Sequence, residues 1–218
     1  MITRYCIIRN QHIICDGKIL FAAKDGNLNE FLLNAYASLK IEYPKFYKMD
    51  TLSKLGFLAA ELLLKGREIA KEYAPESVAL VLSNAHASLD TDLKYFQAAK
   101  SVPSPALFVY TLSNIVAGEI CIRHKIKGEN AFFVSEKFDP ELLTDYVNMV
   151  LLHANRSNLH DSMHGQYRRP DACLCGWVDV LGEHHDVFLY LCEKNKPGSM
   201  AHTAGQVQEL YKTSLWNN

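Results

Sequence analysis

Apolar and polar positions repeat along the chain with periods that separate helices from strands. Residues 52–73 carry apolar side chains at every third or fourth position, which predicts the longest helix, with Gly66 as a weak point within it. Pro75 predicts the end of this helical segment. The sequence SVALVLS at 77–83 is a continuous apolar run of strand length, typical of a strand buried on both faces of a sheet. Residues 140–154 are apolar almost all round, which predicts a central helix covered on all sides.

Shorter segments of the same two kinds fill the rest of the chain. Residues 3–9 and 11–15 together predict one strand or a tight hairpin, and the other remaining predicted strands are 130–134, 171–181 and 186–192. The remaining predicted helices are 28–40, 88–98, 112–125 and 204–215. Their order, β-α-β-α-β-α-β-β followed by a terminal helix, predicts an α/β fold with a mixed, mostly parallel five-stranded sheet and helices on both faces. The last two strands are joined by a short turn and are expected to form an antiparallel edge. Because the sequence shows no repeat and no linker, residues 1–218 are expected to form a single domain.

Composition and charge indicate which binding partners and which cellular compartment to expect. Lys and Arg total 23 against 24 Asp and Glu, so the net charge is −1 and binding of nucleic acid through its phosphates is not expected. No apolar run approaches the roughly 20 residues of a membrane span, and Arg4 and Arg9 interrupt the apolar N-terminal run, so neither a membrane span nor a signal peptide is expected. The six cysteines lie mostly within apolar runs, as buried reduced thiols do, which indicates the cytoplasm.

A predicted strand runs directly into the start of a helix at NAFFVSEKFD, residues 130–139. NAFFV predicts a further buried strand, and the following Pro140 predicts the first turn of a helix. Many enzymes place a nucleophile or an anion-binding site at such a junction, because the free N–H groups of the helix point into it. The residues of the turn itself are Ser135, Glu136 and Lys137.

The sequence on both sides of this turn resembles a known family. SPALFVYTLSNIVAGEICIRHKIKGENAFFVSE (104–136) is similar to the N-terminal half of the β-ketoacyl synthases of fatty-acid and polyketide synthesis. FYKMDTLSKLGFLAAELLL (46–64) resembles the helix before their second strand, and DACLCGWVDVL (171–181) resembles their ADxxLxGG strand. The resemblance spans residues 44–182 and implies the N-terminal half of a thiolase-like fold. Within 104–136 it is carried by Pro105, Phe108, Asn114, Ala117, Gly118, Ile122 and Gly128.

The family's catalytic residues have no counterparts in this chain. Ketosynthases carry a nucleophilic cysteine at the strand-to-helix turn, at a position that falls near Lys137, and this chain has no cysteine between Cys121 and Cys173. Their two other catalytic residues, usually histidines, lie in the second half of a chain roughly twice as long. The resemblance therefore implies a ketosynthase-like protein of fatty-acid or polyketide/polyene biosynthesis, similar to 3-oxoacyl-ACP synthase but acting as a non-catalytic, chain-length-factor-like subunit.

The start of the predicted helix supports the same conclusion on chemical grounds. A Claisen condensation needs a thiolate whose pKa is lowered by a helix N-terminus, and donors for the oxyanion of the thioester. Asp139 is expected to cap the helix and occupy its free N–H groups, and Pro140 supplies none. The charges of Asp139 and Glu141 would also repel an enolate. No catalytic residue is therefore expected at this turn.

Other candidate groups follow the carboxyl ends of predicted strands, where open α/β sheets bind ligands. His86 and Ser135 each follow such a strand end, and Ser88 lies close in sequence. The alternative function is therefore an enzyme that acts on acyl thioesters through a non-cysteine site containing these residues. Ser135 lacks the G-x-S-x-G setting of a serine nucleophile, and Ser88 is explained more simply as a helix cap.

The sequence contains two candidate sets of metal ligands, one histidine cluster and one cysteine pair. His153, His160 and His164 are separated by seven and four residues, which suits a metal only if the intervening segment is helical. The asparagines and the glycine in that segment argue against a helix, so neither a metal nor another cofactor is expected. Cys173 and Cys175 face the same side of a predicted strand, but a C-x-C without a second pair is a weak zinc signal.

Partners are predicted from one helix and from the basic residues near it. Half of a thiolase-like fold would leave the helix at 140–154 partly uncovered, and an exposed apolar stripe of that size indicates an interface. We therefore expect a homodimer or a heteromer with a full-length ketosynthase. Arg168 and Arg169, together with Lys125 and Lys127, are a candidate contact for the acidic surface of an acyl carrier protein.

Overall fold

The structure is a computed structural model that describes residues 1–152, 170–194, 196 and 200–213. Its strands are β1 (Ile2–Arg9), β2 (His12–Cys15), β3 (Lys18–Ala22), β4 (Val78–Asn84), β5 (Asn130–Val134), β6 (Ala172–Leu181) and β7 (His184–Glu193). Its α-helices are α1 (Leu28–Ser38), α2 (Thr51–Leu63), α3 (Ile69–Glu72), α4 (Leu89–Ala99), α5 (Pro105–Phe108), α6 (Ile115–His124), α7 (Pro140–Leu152) and α8 (Ala204–Thr213).

The strands form one seven-stranded sheet in the order β3-β2-β1-β7-β6-β4-β5. β4 pairs in parallel with β5 and β6, whereas every other neighbouring pair is antiparallel. The predicted α/β class with a mixed sheet is confirmed. The prediction of five, mostly parallel strands was wrong, because antiparallel pairs outnumber parallel ones.

A tight turn at Asp16 and Gly17 produces the strand that the sequence did not predict. Both residues have positive φ, 49° and 76°, and the turn returns the chain antiparallel to β2 as β3. β3 lies at the sheet edge and most of its side chains are exposed, so it lacks the buried alternation by which a strand is recognised. The three strands β1–β3 form a meander, and β1 then pairs antiparallel with β7.

Helices cover both faces of the sheet. α1, α2 and α6 contribute to the hydrophobic core on one face, and α7 and α8 contribute to the core on the other. β4 shows the division, because Leu80 and Leu82 belong to the first core and Ala79 and Val81 to the second. All residues of β4 are buried, so the prediction of a strand covered on both faces is confirmed.

Two elements are more exposed than their apolar sequences predict. β5 forms the other edge of the sheet, and the side chain of Val134 is 58% exposed, so the prediction of a buried strand was wrong here. α7 buries Leu143, Val147 and Leu151 but leaves Met149 44% exposed. The prediction that this helix is covered on all sides was also wrong, because α7 lies on the outer side of the sheet next to α8.

The long helix predicted over 52–73 is split at its glycine. α2 ends before Gly66, which adopts a φ of 79°, and the short α3 follows it. α6 packs against α2 at Gly56, where an added Cβ would lie 2.4 Å from Cγ2 of Val116. Gly118, on α6 itself, faces open space. The close contact of these two helices therefore depends on the glycine of α2.

The segment before α6 contains the short helix α5. The Oγ of Ser104 accepts a hydrogen bond from the backbone N–H of Leu107 at 3.3 Å and caps this helix. Pro105–Thr111 and Ile115–His124 together have the length and composition of a membrane span, but they are bent by 99° relative to each other. No single helix in the described part of the chain is long and apolar enough to cross a membrane.

Candidate functional site

The turn between β5 and α7 is the position at which the sequence resemblance expects a catalytic cysteine. The backbone N–H of Ser135 donates to the carbonyl of Asn84 at 2.9 Å, which places this turn beside the carboxyl end of β4. Glu136 and Lys137 are exposed to solvent. Asp139 Oδ1 accepts the backbone N–H of Leu142 at 2.9 Å, so the predicted cap on α7 is present.

Aromatic side chains fill the space behind this turn. Phe138 is buried and stacks on Tyr211 of α8, with ring centroids 4.1 Å apart. The Phe138 ring also makes T-shaped contacts with Trp177 and Phe188, with ring centroids 6.1 Å and 5.7 Å apart. Trp177 stands where the ADxxLxGG pattern has its last glycine. A substrate that approached the position of Lys137 along this face of the sheet would meet packed rings.

The cysteines present elsewhere are poor substitutes for the missing nucleophile. All six are free thiols, and Cys121 is the one that is not fully buried. Burial raises the pKa of the Cys121 thiol to about 11, although a hydrogen bond with Asn130 acts in the opposite direction. Burial also raises the pKa values of Cys6, Cys175 and Cys192. Each of these four groups is therefore a thiol at neutral pH and a weak nucleophile.

His86 and Asp179 form a hydrogen-bonded pair at the carboxyl ends of β4 and β6. Nδ1 of His86 lies 2.9 Å from Oδ2 of Asp179. Oδ1 of the same carboxylate accepts the backbone N–H groups of Ala85 at 3.0 Å and of His86 at 3.1 Å. Asp179 is 4% exposed, whereas a third of the His86 side chain is exposed. The carboxylate favours the tautomer with a proton on Nδ1, which leaves Nε2 as an acceptor.

Hydrogen bonds of the Asn84 side chain also hold the loop after β4. Nδ2 of Asn84 donates to the carbonyl of Ala87 at 2.9 Å, and Oδ1 of Asn84 accepts the N–H of Ala87 at 3.0 Å. Oγ of Ser88 donates to the carbonyl of Thr111 at 2.8 Å and also contacts Asp92. Ser88 makes no side-chain cap on α4, so the prediction of a capping role was wrong. Its hydroxyl instead joins α4 to the segment after α5.

The structure brings together part of the predicted set. His86 and Ser135 both lie at the carboxyl edge of the β4–β5 pair, as their sequence positions predicted, and Lys137 follows in the same turn. The sequence did not identify Asp179 as the partner of His86. An acidic residue inside an otherwise apolar strand is the signal that could have found it. The remaining candidates, His153, His160, His164, Arg168 and Arg169, lie outside the described residues.

The two lysines of the predicted carrier-protein contact lie at the opposite end of β4 from His86. The backbone N–H of Lys127 donates to the carbonyl of Pro75, close to the first residue of β4. Lys125 lines a groove of about 680 Å³ between the ends of α2 and α6. Its other charged or titratable lining residues are Lys40, Glu42, Glu61, Lys65, Arg67, Glu68, Lys71, Arg123 and His124. Basic groups are in excess in this groove.

Comparison with known proteins bears on the fold. No family model and no curated protein matches the sequence. Among solved structures, a chain from a ketosynthase in complex with its chain length factor from Xenorhabdus doucetiae is similar with a TM-score of 0.56 and 12% sequence identity. The match covers 97% of this chain and 89% of that chain, so the two are of similar length. At this identity the similarity shows the fold alone, and this chain therefore has a ketosynthase-like fold.

Proposed function

We propose that this protein is a non-catalytic, chain-length-factor-like subunit that associates with a full-length ketosynthase in a fatty-acid or polyketide-type pathway. The observation that carries the proposal is the turn between β5 and α7, where an exposed lysine and a self-capped helix occupy the place of a catalytic cysteine. The buried ring of Phe138 beside this turn adds to the same reasoning.

A surface suited to such a partner lies on α4, on α5, on the segment between them and on the turn after α5. We call it the apolar patch. It consists of Leu89, Leu93, Phe96, Val102, Phe108, Val109 and Leu112, each more than 40% exposed. The residues of α4 in this set recur at intervals of four and three, so they form one stripe on its solvent-facing side. Tyr95 and Phe108 pack at 5.4 Å and join the two helices into one surface.

The apolar patch is larger than scattered surface residues explain. Contiguous exposed apolar surface of this kind marks interaction sites in folded proteins, and aromatic and long aliphatic side chains supply most of the binding free energy at interfaces. Within the described part of the chain β5 is an edge strand, and its outer side offers backbone groups to a neighbouring chain. A second copy of this chain is the competing occupant, and native mass distinguishes the two cases.

Charge placed on the apolar patch is expected to abolish capture of the partner. The double substitution Leu93→Glu/Phe96→Glu introduces two carboxylates that would have to be desolvated in the interface, and we expect affinity to fall at least about 100-fold. Native mass by light scattering, for the chain alone and mixed with the full-length ketosynthase encoded in the same genome, measures this. Ile19→Glu on β3 is the matched control, because Ile19 is 63% exposed and Phe96 is 62% exposed.

Three results of this experiment would have different meanings. A complex formed by the unchanged chain and by Ile19→Glu, but not by the double variant, supports the proposal and its surface. A homodimer lost in the double variant would assign the patch to a second copy. A monomer that captures no synthase would overturn the partnership. A complex should in addition change the length of the products that the synthase makes, whereas this chain alone should make none.

The alternative function, an enzyme acting on acyl thioesters, is favoured by the pair His86–Asp179. Nε2 of His86 could take a proton from a water that attacks the thioester carbonyl, and return it to the sulfur of the leaving thiol. Asp179 would hold the imidazole in the required tautomer. Ser88 has no place in this site, because its hydroxyl is bound to the carbonyl of Thr111.

Hydrolysis of acyl thioesters by the purified chain decides between the two functions. On the leading proposal we expect release of free thiol at the rate of the buffer alone. On the alternative, turnover would exceed that rate and would fall about 100-fold or more in His86→Gln, because removing a general base typically costs this much. Ser135→Ala is the control variant, and it should leave such turnover unchanged if water is the nucleophile.

A further inference from the structure

Two cysteines and a histidine meet in the core beneath α7 and α8. The Sγ atoms of Cys175 and Cys192 and a ring nitrogen of His202 all lie within 4.8 Å of one another. Cys175 comes from β6, Cys192 from the neighbouring β7, and His202 from the segment that leads into α8. The two sulfurs are fully buried, and His202 is partly buried. This cluster lies outside the candidate site at the carboxyl strand ends.

A side chain on α7 fixes the orientation of the histidine. Nδ1 of His202 lies 2.8 Å from Oδ1 of Asn148, and an amide oxygen can only accept. Nδ1 therefore carries the proton, and the lone pair of the imidazole is on Nε2. Nε2 points toward the interior, where the hydroxyl of Tyr190 lies 3.3 Å away. Metal-binding histidines show this arrangement, in which the nitrogen that does not bind the metal donates to a neighbouring oxygen.

The geometry points to a Zn²⁺ site formed by Cys175, Cys192 and His202. Zn–S and Zn–N bonds of about 2.3 and 2.0 Å in a tetrahedron bring the ligand atoms to roughly 3.4–3.8 Å from one another. Contraction of about 1 Å from the upper bound of 4.8 Å is enough to reach these separations. Two thiolates neutralise the charge of the ion, so no net charge is buried. The hydroxyl of Tyr190 stands next to the remaining tetrahedral position.

The role inferred for this ion is structural. It would join two strands of the sheet to the segment before α8, and through Asn148 it would also fix α7. Both helices cover the same face of the sheet. The site is enclosed by apolar side chains and is separate from the partner surface, so this inference does not depend on the proposed function.

Metal content of the purified full-length chain tests the site. We expect about one zinc ion per chain by elemental analysis after dialysis against a weak chelator. Replacement by Co²⁺ should give the absorption bands of a tetrahedral cobalt thiolate. His202→Ala and Cys192→Ser should lower retained zinc to background. Cys15→Ser is the matched control. Cys15 is also a buried cysteine and pairs across strands with Cys6, but both belong to the core on the face of the sheet away from the cluster.

The outcomes separate clearly. Stoichiometric zinc with cobalt–thiolate bands, lost in His202→Ala and kept in Cys15→Ser, supports the site. Zinc that is absent from the unchanged chain, and that cannot be introduced by refolding with Zn²⁺ or Co²⁺, overturns it. Zinc that is retained equally by His202→Ala and Cys192→Ser would also overturn it, because the ion would then lie elsewhere. The unchanged chain alone provides a decisive result if Cys192→Ser fails to fold.

Discussion

Gly176→Ala is expected to prevent the chain from folding. Gly176 lies in β6, between β4 and β7, and has a φ of 149°, which side chains of L-residues rarely adopt. An added Cβ would lie 2.0 Å from the carbonyl oxygen of Phe188 and 3.0 Å from Cα of Leu189. Both are backbone atoms of the paired strand, so no side-chain rotation can relieve the overlap. The loss should exceed about 4 kcal/mol, a large part of the stability of an ordinary domain.

Gly182→Ala is the control for this substitution. Gly182 also has a positive φ, 62°, but an added Cβ there meets no atom within 4 Å. The backbone strain alone should cost about 1 kcal/mol, so this variant should fold with a slightly lower midpoint in urea. Yield of soluble chain and far-UV circular dichroism measure the first variant, and urea unfolding measures the second. Normal folding of Gly176→Ala would show that β6 and β7 are spaced differently from this structure.

Elements with a strong local pattern could be predicted from the sequence. β4 is a continuous apolar run, and its burial on both faces follows from that run. The helices α2 and α7 begin where the sequence places them, because Asp50 and Asp139 cap them. The short β3 could not be predicted, because it lies at an edge and its side chains face solvent. Strand order also escaped prediction, since the pairing of β1 with β7 joins residues far apart in the chain.

The sequence predicted the turn after β5 but did not predict that Asp179 is the partner of His86. Ser135 and Lys137 are adjacent in sequence to a strand end, and the turn around them follows from that position. Asp179 is more than ninety residues from His86, and only the parallel pairing of β4 and β6 brings the two together. The same limit applies to the cysteine cluster. The sequence shows Cys173 and Cys175 as a weak zinc signal, but only Cys175 belongs to the cluster, whose other members come from β7 and from the segment before α8.

The site and the surface lead to the same interpretation of the protein. The turn after β5 contains no cysteine, and Asp139 at its end caps α7. Large apolar patches on the surface of a folded chain usually mark sites where another molecule binds. On the proposed function, the apolar patch is the surface that the partner covers.

The second large effect is expected at a buried carboxylate at the end of β7. Glu193 is 1% exposed, and its Oε1 accepts hydrogen bonds from Nη2 of Arg67 at 2.8 Å and from the hydroxyl of Tyr73 at 2.6 Å. Its Oε2 accepts from Nη1 of Arg67 at 3.0 Å and from Oγ1 of Thr3. Arg67 also pairs with Glu72. This network ties the segment between α2 and α3 to the sheet.

The network makes stability depend on pH. Burial alone would raise the pKa of Glu193, but the hydrogen bonds from Arg67, Thr3 and Tyr73 outweigh it and hold that pKa at about 2, below the usual 4.5. Because the folded pKa is depressed, the contribution is fully present above pH 4.5 and is lost as the pH falls toward 2. The difference between the two pKa values corresponds to about 3 kcal/mol. Burial would raise the pKa of Glu61, but hydrogen bonds from His124 and Arg123 hold that pKa at about 2 as well. Its contribution to stability is therefore lost over the same pH range.

Arg67→Ala should introduce a pH dependence of the opposite sign between pH 7 and pH 5, a range in which the unchanged chain loses none of the Glu193 contribution. The variant leaves a buried carboxylate whose remaining cation, the partly exposed Lys196, lies 3.8 Å from its Oε1, which should lower the free energy of unfolding by about 3 kcal/mol at pH 7. Burial would then raise the pKa of Glu193 above its unfolded value, so protonation near pH 5 should restore part of the loss. Urea unfolding at the two pH values measures the change, and Arg67→Ala/Glu193→Gln should recover part of it at pH 7.

The comparison with an exposed ion pair shows whether burial is the cause. Arg4 pairs with Asp16 at 3.1 Å, and their side chains are 25% and 41% exposed, against 18% and 1% for Arg67 and Glu193. Arg4→Ala should therefore change stability by about 1 kcal/mol or less, and it should introduce no such pH dependence between pH 7 and pH 5. If Arg67→Ala lost no more stability than Arg4→Ala, Glu193 would have to reach solvent in the folded chain. The segment between α2 and α3 would then be held to the sheet by its apolar contacts, such as that of the buried Ile69, rather than by this charge network.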